Sequence, residues 1–121
     1  MNHVVGDYFK LKLEYMKYVD MALELIKWIM NHSLALGHLK AQQTLSRARV
    51  LVLILPVLTR WTSHYLAIRR LLDLRNFIVA MIEADFDFLV SAAGQRRELK
   101  MKATEVLRYA LDSSFWRALQ R

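Results

Sequence analysis

The chain has 121 residues, enough for one domain and too few for two independent cores. Apolar residues make up 55% of it, which is too high a fraction for an intrinsically disordered segment. The 18 Lys and Arg residues against 11 Asp and Glu give a net charge of +7, which favours nucleic acid or an anionic membrane surface as partner. With no cysteine, the sequence excludes disulfides, a thiolate nucleophile and zinc sites with sulfur ligands.

Nothing in the sequence predicts a membrane span or a targeting segment. The longest charge-free apolar run, Val50 to Leu58, has nine residues and contains Pro56, whereas a span needs roughly 20 residues. Charged residues begin at Asp7 and Lys10, too early for the apolar region of a secretory signal. We therefore expect an intracellular protein, nuclear if it binds DNA, with no signal peptide and no transmembrane segment.

A long N-terminal helix is the first predicted element. Three glycines and one proline leave few places for turns, which favours helices over a many-stranded sheet. From Asp7 to about Asn31 apolar residues recur at helical spacing, and Asp7 is a candidate N-cap. Other apolar residues, among them Tyr15, Tyr18 and Met21, lie outside that stripe. A helix that is apolar on two faces requires a partner or self-association, so we expect a homodimer.

The middle of the chain contains a segment that the sequence alone assigns to neither helix nor strand. Ala35 to Arg49 predicts a second helix of moderate amphipathicity. The run from Val50 to Leu55 is short, continuous and partly β-branched, so it is either a buried strand or a buried helical segment that ends before Pro56. Thr59 is then a candidate N-cap for a strongly two-faced helix that ends near Arg75.

Two further helices are predicted in the last third of the sequence. The first runs from Asn76 to about Val90, and Gly94 is suited to close it as a C-cap. The second runs from Gln95 to Leu111 and has Glu98 and Lys102 at the i, i+4 spacing of an ion pair.

The chain ends on a short apolar segment. Asp112 is a candidate N-cap for this last turn, which contains Phe115 and Trp116. The predicted elements together give an all-α fold, a bundle of five or six helices in a single helical domain over residues 1–121. A short strand remains possible at residues 50–55.

The positive charge is concentrated in one third of the sequence. Residues 40–75 hold seven basic residues and one acidic residue, Asp73, so their net charge is +6. Six of the seven are arginines, whose planar guanidinium pairs with phosphate and stacks on bases. Trp61 and Tyr65 lie among them, and aromatic side chains stack on bases with roughly 1 to 3 kcal/mol per base. The pattern is typical of a nucleic-acid-binding surface, and it also fits a solvated helix face whose two aromatic residues belong to the core.

Residues 55–75 also resemble a known family. They read Leu-Pro-Val-Leu-Thr-Arg-Trp-Thr-Ser-His-Tyr-Leu-Ala-Ile-Arg-Arg-Leu-Leu-Asp-Leu-Arg. This stretch is similar to the hAT superfamily of DNA transposases, particularly copies carried by fungal genomes. Members typically have a Thr-Arg-Trp-Asn-Ser core followed by an amphipathic helix, and Thr62 stands here in place of the asparagine. The opening Asn2 to Asp7 resembles the segment after the family's Cys-x-x-His element, which this chain lacks.

The resemblance implies an internal piece of a much longer transposase. It covers the edge of an RNase H-like catalytic fold and the start of an all-helical insertion domain. The two aspartates and the glutamate that hold two divalent metals in the family have no counterpart here, so the resemblance implies neither catalytic residues nor a cofactor. It does imply DNA contacts for two residues, with Arg60 at a phosphate and Trp61 stacked on a hairpinned or flipped base.

Other polar clusters have structural explanations. Glu83, Asp85 and Asp87 alternate along a predicted helix, which points neighbours in the series apart and favours a solvated acidic face. The histidines lack the i, i+4 spacing of a helical metal site. Ser63 and His64 are adjacent, so a helix directs them to different sides and they do not form a nucleophile with its base. We expect no metal site and no enzymatic activity.

The favoured function is DNA binding by a non-catalytic, transposase-derived helical protein through residues 40–75. The residues expected to contact DNA are Arg47, Arg49, Arg60, Trp61, Arg69, Arg70 and Arg75. The alternative is a helical interaction or oligomerisation protein without a nucleic-acid role, in which Trp61 and Tyr65 are buried and the arginines pair with acidic groups. Binding to an anionic membrane surface is a second alternative.

Overall fold

Six α-helices form the described part of the chain. The structure is a computed structural model that describes the backbone of residues 2–46, 49–56 and 61–120, and the side chains of these ranges outside 2–12 and 61–63. The helices are α1 (Asn2–Asn31), α2 (Ser33–Leu45), α3 (Trp61–Asp73), α4 (Arg75–Ala92), α5 (Arg97–Tyr109) and α6 (Ser113–Leu119). No strand occurs in these ranges. The predicted all-α bundle is confirmed.

Helix α1 is the central element, because α2, α3, α5 and α6 all pack against it. Its C-terminal half therefore buries more than one stripe, and Leu25, Trp28 and Ile29 are in the core although they lie outside the main apolar series. Over this half, the second apolar face is covered within the chain. Nearer the N-terminus, Leu13 and Met16 are 66% and 47% exposed.

The boundaries of the first two helices differ from the predicted ones. Helix α1 begins at Asn2, so the prediction that Asp7 is its N-cap was wrong. Glycine costs only roughly 1 kcal/mol inside a helix, so Gly6 need not end a helix whose remainder is so well packed. Helix α2 ends at Leu45, four residues before the predicted Arg49. The proposed N-cap of α3, Thr59, lies outside the described residues.

Residues 49–56 form neither the strand nor the helix that the sequence left open. Their backbone is bound by side chains instead of by a neighbouring strand. Leu51 N–H donates to Oε1 of the buried Gln43 at 2.7 Å, and Gln43 Nε2 donates to Leu51 O at 3.1 Å. Arg70 Nη1 donates to Val52 O at 2.8 Å. A glutamine on α2 and an arginine on α3 thus hold this segment against the bundle.

Helix α4 contains one non-helical residue, Asp85, with φ −127° and ψ 29°. Its Oδ2 lies 2.9 Å from Nδ1 of His38 on α2, and the His38 ring lies 5.1 Å from the ring of Phe88. The expected solvated acidic face holds for Glu83 and Asp87, which are exposed, but not for Asp85, because the break in α4 coincides with its hydrogen bond to His38 on α2.

Around the last two helices, two local sequence signals predicted the structure correctly and a third did not. Gly94 has φ +136° after α4, as expected of a C-cap glycine. Asp112 Oδ1 accepts a hydrogen bond from Ser114 N at 2.9 Å and caps α6, as predicted. The predicted ion pair between Glu98 and Lys102 was wrong, because Lys102 Nζ lies 3.3 Å from Glu24 Oε1 and joins α5 to α1.

Candidate nucleic-acid interface

The residues that the sequence predicts as DNA contacts differ in their exposure and in whether the structure describes them. Arg47 and Arg60 lie outside the described residues. Trp61 is the first residue of α3, but its side chain is not among those described. Arg49 and Arg69 are exposed.

Arg70 and Arg75 are half-buried and have partners within the chain. Arg70 binds the carbonyl of Val52, and the guanidinium carbon of Arg75 lies 5.5 Å from the ring centroid of Trp116. A guanidinium over an aromatic face is a cation–π contact. Both arginines therefore hold elements of the fold together, through a carbonyl and an aromatic ring rather than through the acidic groups that the sequence alternative invoked.

A groove of about 290 Å³ lies between α1, α3 and α6 and is called here the α3 groove. It is lined by Tyr15, Val19, His64, Tyr65, Ile68, Arg69, Leu72, Leu119 and Gln120. Ile68 and Leu119 are buried and give the groove an apolar floor. Tyr65 is 67% exposed, so most of its ring is accessible. No acidic residue is among the described residues that line the groove.

Helical spacing explains why α3 supplies this combination. Tyr65 and Arg69 are four residues apart, and Ile68 and Leu72 continue the same side of the helix toward α1 and α6. An exposed aromatic ring can stack on a base while a neighbouring arginine pairs with a phosphate.

Of the residues that line this groove, the sequence predicted only Arg69 as a DNA contact, and it noted Tyr65 only as an aromatic residue of the basic segment. Tyr15 comes from α1 and Gln120 follows α6, and their positions beside Tyr65 depend on how three helices pack. No local motif marks Tyr15, which the sequence identified only as one residue of a second apolar face of α1. A contact between positions about 50 residues apart has no signature in a single sequence.

A second surface with several basic residues was not identified when the charge was counted by segments of the sequence. Arg97, Lys100 and Arg108 line an open groove of about 830 Å³ along α5. Glu105 and Asp112 also line it, so its charge is mixed. The sequence count missed these residues because it summed all residues outside 40–75, whose eleven basic and ten acidic groups nearly cancel.

Tyr109 connects α5 to α1 at the edge of this groove. Its hydroxyl lies 2.9 Å from Glu105 Oε1 and 3.1 Å from Glu24 Oε2, so a single phenolic proton serves two carboxylates. Burial, together with these hydrogen bonds and the two negative charges, raises the pKa of Tyr109 above its ordinary range. Two carboxylates thus lie beside this edge of the groove, whereas the described residues of the α3 groove include none.

Three wider observations complete the description of the site. Within the described ranges, no group of three or more His, Cys, Asp or Glu side chains is placed to hold a metal ion. None of the helices in that part of the chain has the length and apolarity needed to cross a bilayer. Comparison with protein-family models, with curated proteins and with solved structures finds no match for this chain.

Proposed function

We propose that the chain is a non-catalytic, transposase-derived helical protein that binds DNA through the α3 groove. The observation that carries this proposal is the combination, in one groove whose described lining residues include no acidic side chain, of the exposed ring of Tyr65 and the exposed guanidinium of Arg69. The resemblance of residues 55–75 to hAT transposases supports the same region, since Arg60 and Trp61 immediately precede this part of α3.

The size of the groove favours an unpaired base over a duplex. At about 290 Å³ it lies at the small end of the range typical of ligand pockets, so it accommodates a base with its sugar rather than a double helix. Bases in a duplex are stacked inside it and expose only their edges, whereas unpaired bases present a face to an aromatic ring. The expected mode is a base stacked on Tyr65 and an adjacent phosphate paired with Arg69. We therefore expect single-stranded or hairpin DNA to bind more tightly than duplex DNA.

Tyr65→Ala is expected to weaken binding of single-stranded DNA roughly 5- to 150-fold, the equivalent of the 1 to 3 kcal/mol that stacking contributes per base. Tyr65→Phe is the matched control and should bind nearly as tightly, because it retains the ring. The side chain is 67% exposed, so neither change should unfold the chain. Fluorescence anisotropy with a labelled oligonucleotide measures the affinity. Equal affinities for the Ala and Phe variants would exclude stacking on Tyr65.

The two alternatives to DNA binding are distinguished by specific observations. The interaction-protein alternative required Tyr65 to be buried, and its exposure argues against that version. The membrane alternative is tested by sedimenting the chain with vesicles of anionic and of zwitterionic lipid. Binding that depends on anionic lipid and survives Tyr65→Ala would favour a membrane surface over DNA.

A further inference from the structure

A second surface of the chain, separate from the α3 groove, has exposed apolar residues. It consists of the α5 groove described above and an adjoining groove of about 690 Å³ on α1, which meet at Met21, Glu105 and Tyr109. The two together are called the α1/α5 surface. Leu13, Met16 and Met101 on it are 66%, 47% and 60% exposed. Exposed apolar side chains that adjoin along a groove are typical of a surface that binds another protein.

The charges of the α1/α5 surface differ between its two grooves. The α1 groove is lined by one cation, Lys17, and by the three carboxylates of Asp20, Glu24 and Glu105. It therefore carries a net negative charge on a chain whose total is +7. Lys102 also contacts Glu24 at 3.3 Å, which offsets part of that charge.

The α5 groove has the opposite balance. It is lined by three cations, Arg97, Lys100 and Arg108, and by two carboxylates, of which Glu105 is shared with the α1 groove. A twofold axis across this surface brings the α1 groove of one copy against the α5 groove of the other, so opposite charges meet twice. The surface is thus complementary to itself.

Nucleic acid is a poor fit for the same surface. The carboxylates of Asp20, Glu24 and Glu105 would face its phosphates, and two of them already hold the Tyr109 hydroxyl. The α1/α5 surface also lies on a different side of α1 from the α3 groove. Tyr15 and Val19 line the α3 groove, whereas Lys17 and Met21, each two residues further on, line the α1/α5 surface.

We propose that the α1/α5 surface binds a second copy of this chain, in a twofold dimer in which the acidic α1 groove of each copy faces the basic α5 groove of its partner. The exposed methionines and Leu13 supply the apolar contact, and the charges set the orientation. This dimer leaves both α3 grooves open. The proposal does not depend on DNA binding.

The experiment measures the mass of the full chain by light scattering over roughly 1 to 100 µM, the concentration range in which weak homodimers dissociate. We expect the mass to rise from monomer to dimer. Asp20→Arg cancels the net negative charge of the α1 groove, and Arg97→Glu/Arg108→Glu makes the α5 groove negative, so each should raise the dimer dissociation constant at least about tenfold. Arg49→Glu, an exposed charge reversal outside the surface, is the matched control and should leave the dimer intact.

Mixing the two charge-reversed variants gives the sharpest result. In a mixed dimer, the unchanged acidic α1 groove of one chain faces the unchanged basic α5 groove of the other, and the introduced arginine faces the two introduced glutamates, so the mixture should regain the dimer mass that neither variant shows alone. A wild-type chain that stays monomeric throughout overturns the proposal. A dimer that tolerates both variants as well as the control would place the contact elsewhere. Binding of a polyglutamate peptide to the α5 groove of a monomeric chain would also contradict it, since the occupant would then be an acidic segment of another protein.

Discussion

Trp116→Ala should lower the free energy of unfolding by about 3–5 kcal/mol, the usual loss when a fully buried large aromatic residue is truncated. The side chain is 1% exposed, and its indole N–H donates to Ala110 O at 2.7 Å. Its ring lies edge-on to Phe115 at 5.0 Å and beneath the guanidinium of Arg75 at 5.5 Å. Truncation leaves a cavity, an unpaired carbonyl and an arginine without its aromatic partner.

The loss should extend beyond local packing, because α6 has only seven residues and such short helices are not stable by themselves. Its position depends on Phe115 and Trp116, and Leu119 and Gln120 at its end line the α3 groove. We therefore expect the variant to lose DNA affinity as well as stability.

Urea denaturation followed by circular dichroism measures the stability change. Trp116→Phe is the companion variant, since it keeps an aromatic ring but removes the indole N–H. It should cost less than the alanine variant and remain folded. A loss below about 1 kcal/mol for Trp116→Ala would be inconsistent with a residue whose removal leaves a core cavity.

The second large effect is expected at Gln43. Gln43→Leu keeps the side chain's size but removes both hydrogen bonds to Leu51, leaving an N–H and a carbonyl without partners. An unsatisfied group in a buried position costs about 1–3 kcal/mol, and because Leu51 is only half-buried we expect a loss of stability at the lower end of that range. Because these bonds are among the few that fix residues 49–56, the segment should also open more readily.

Hydrogen exchange at the Leu51 amide tests this directly, since the variant should exchange faster at Leu51 than at core helix amides such as Leu25. Gln42→Leu is the matched control. It changes the neighbouring glutamine, which is half-buried, and should leave exchange at Leu51 unaltered. Unchanged protection in the Gln43 variant would show that the segment is held by other contacts.

The parts of the fold that the sequence predicted well depend on neighbours in the chain. Gly94 and Asp112 are signals for the backbone of their own turns, and both act as expected. Residues 49–56 could not be predicted, because their hydrogen-bond partners, Gln43 and Arg70, come from two helices whose positions are set by packing. An apolar, partly β-branched run looks the same whether a strand or a pair of side chains binds its backbone.

The same distinction applies to the candidate site. Arg69 was predicted as a DNA contact and Tyr65 was only noted beside it, although the two lie on one helix at a spacing of four residues. Arg70 and Arg75 looked equivalent to Arg69 in the charge count, yet one binds a carbonyl and the other an aromatic ring from a helix about 40 residues away. The sequence gives the number of arginines, and tertiary contacts decide which of them are accessible to a ligand.

The central claim is that the exposed Arg69 and Tyr65 bind DNA, and the salt dependence of affinity tests it most directly. The measurement is a titration of the chain with single-stranded, hairpin and duplex DNA from about 50 to 200 mM salt. It compares the wild type with Arg69→Ala. Arg96→Ala, at another exposed arginine, is the control. We expect single-stranded and hairpin DNA to bind more tightly than duplex DNA, with affinity that falls steeply as salt rises. Arg69→Ala should make the slope of log affinity against log salt shallower by roughly 0.7 for single strands, the value of one phosphate contact, and Arg96→Ala should not. No binding at about 50 mM salt, or a slope that both variants change equally, would contradict it.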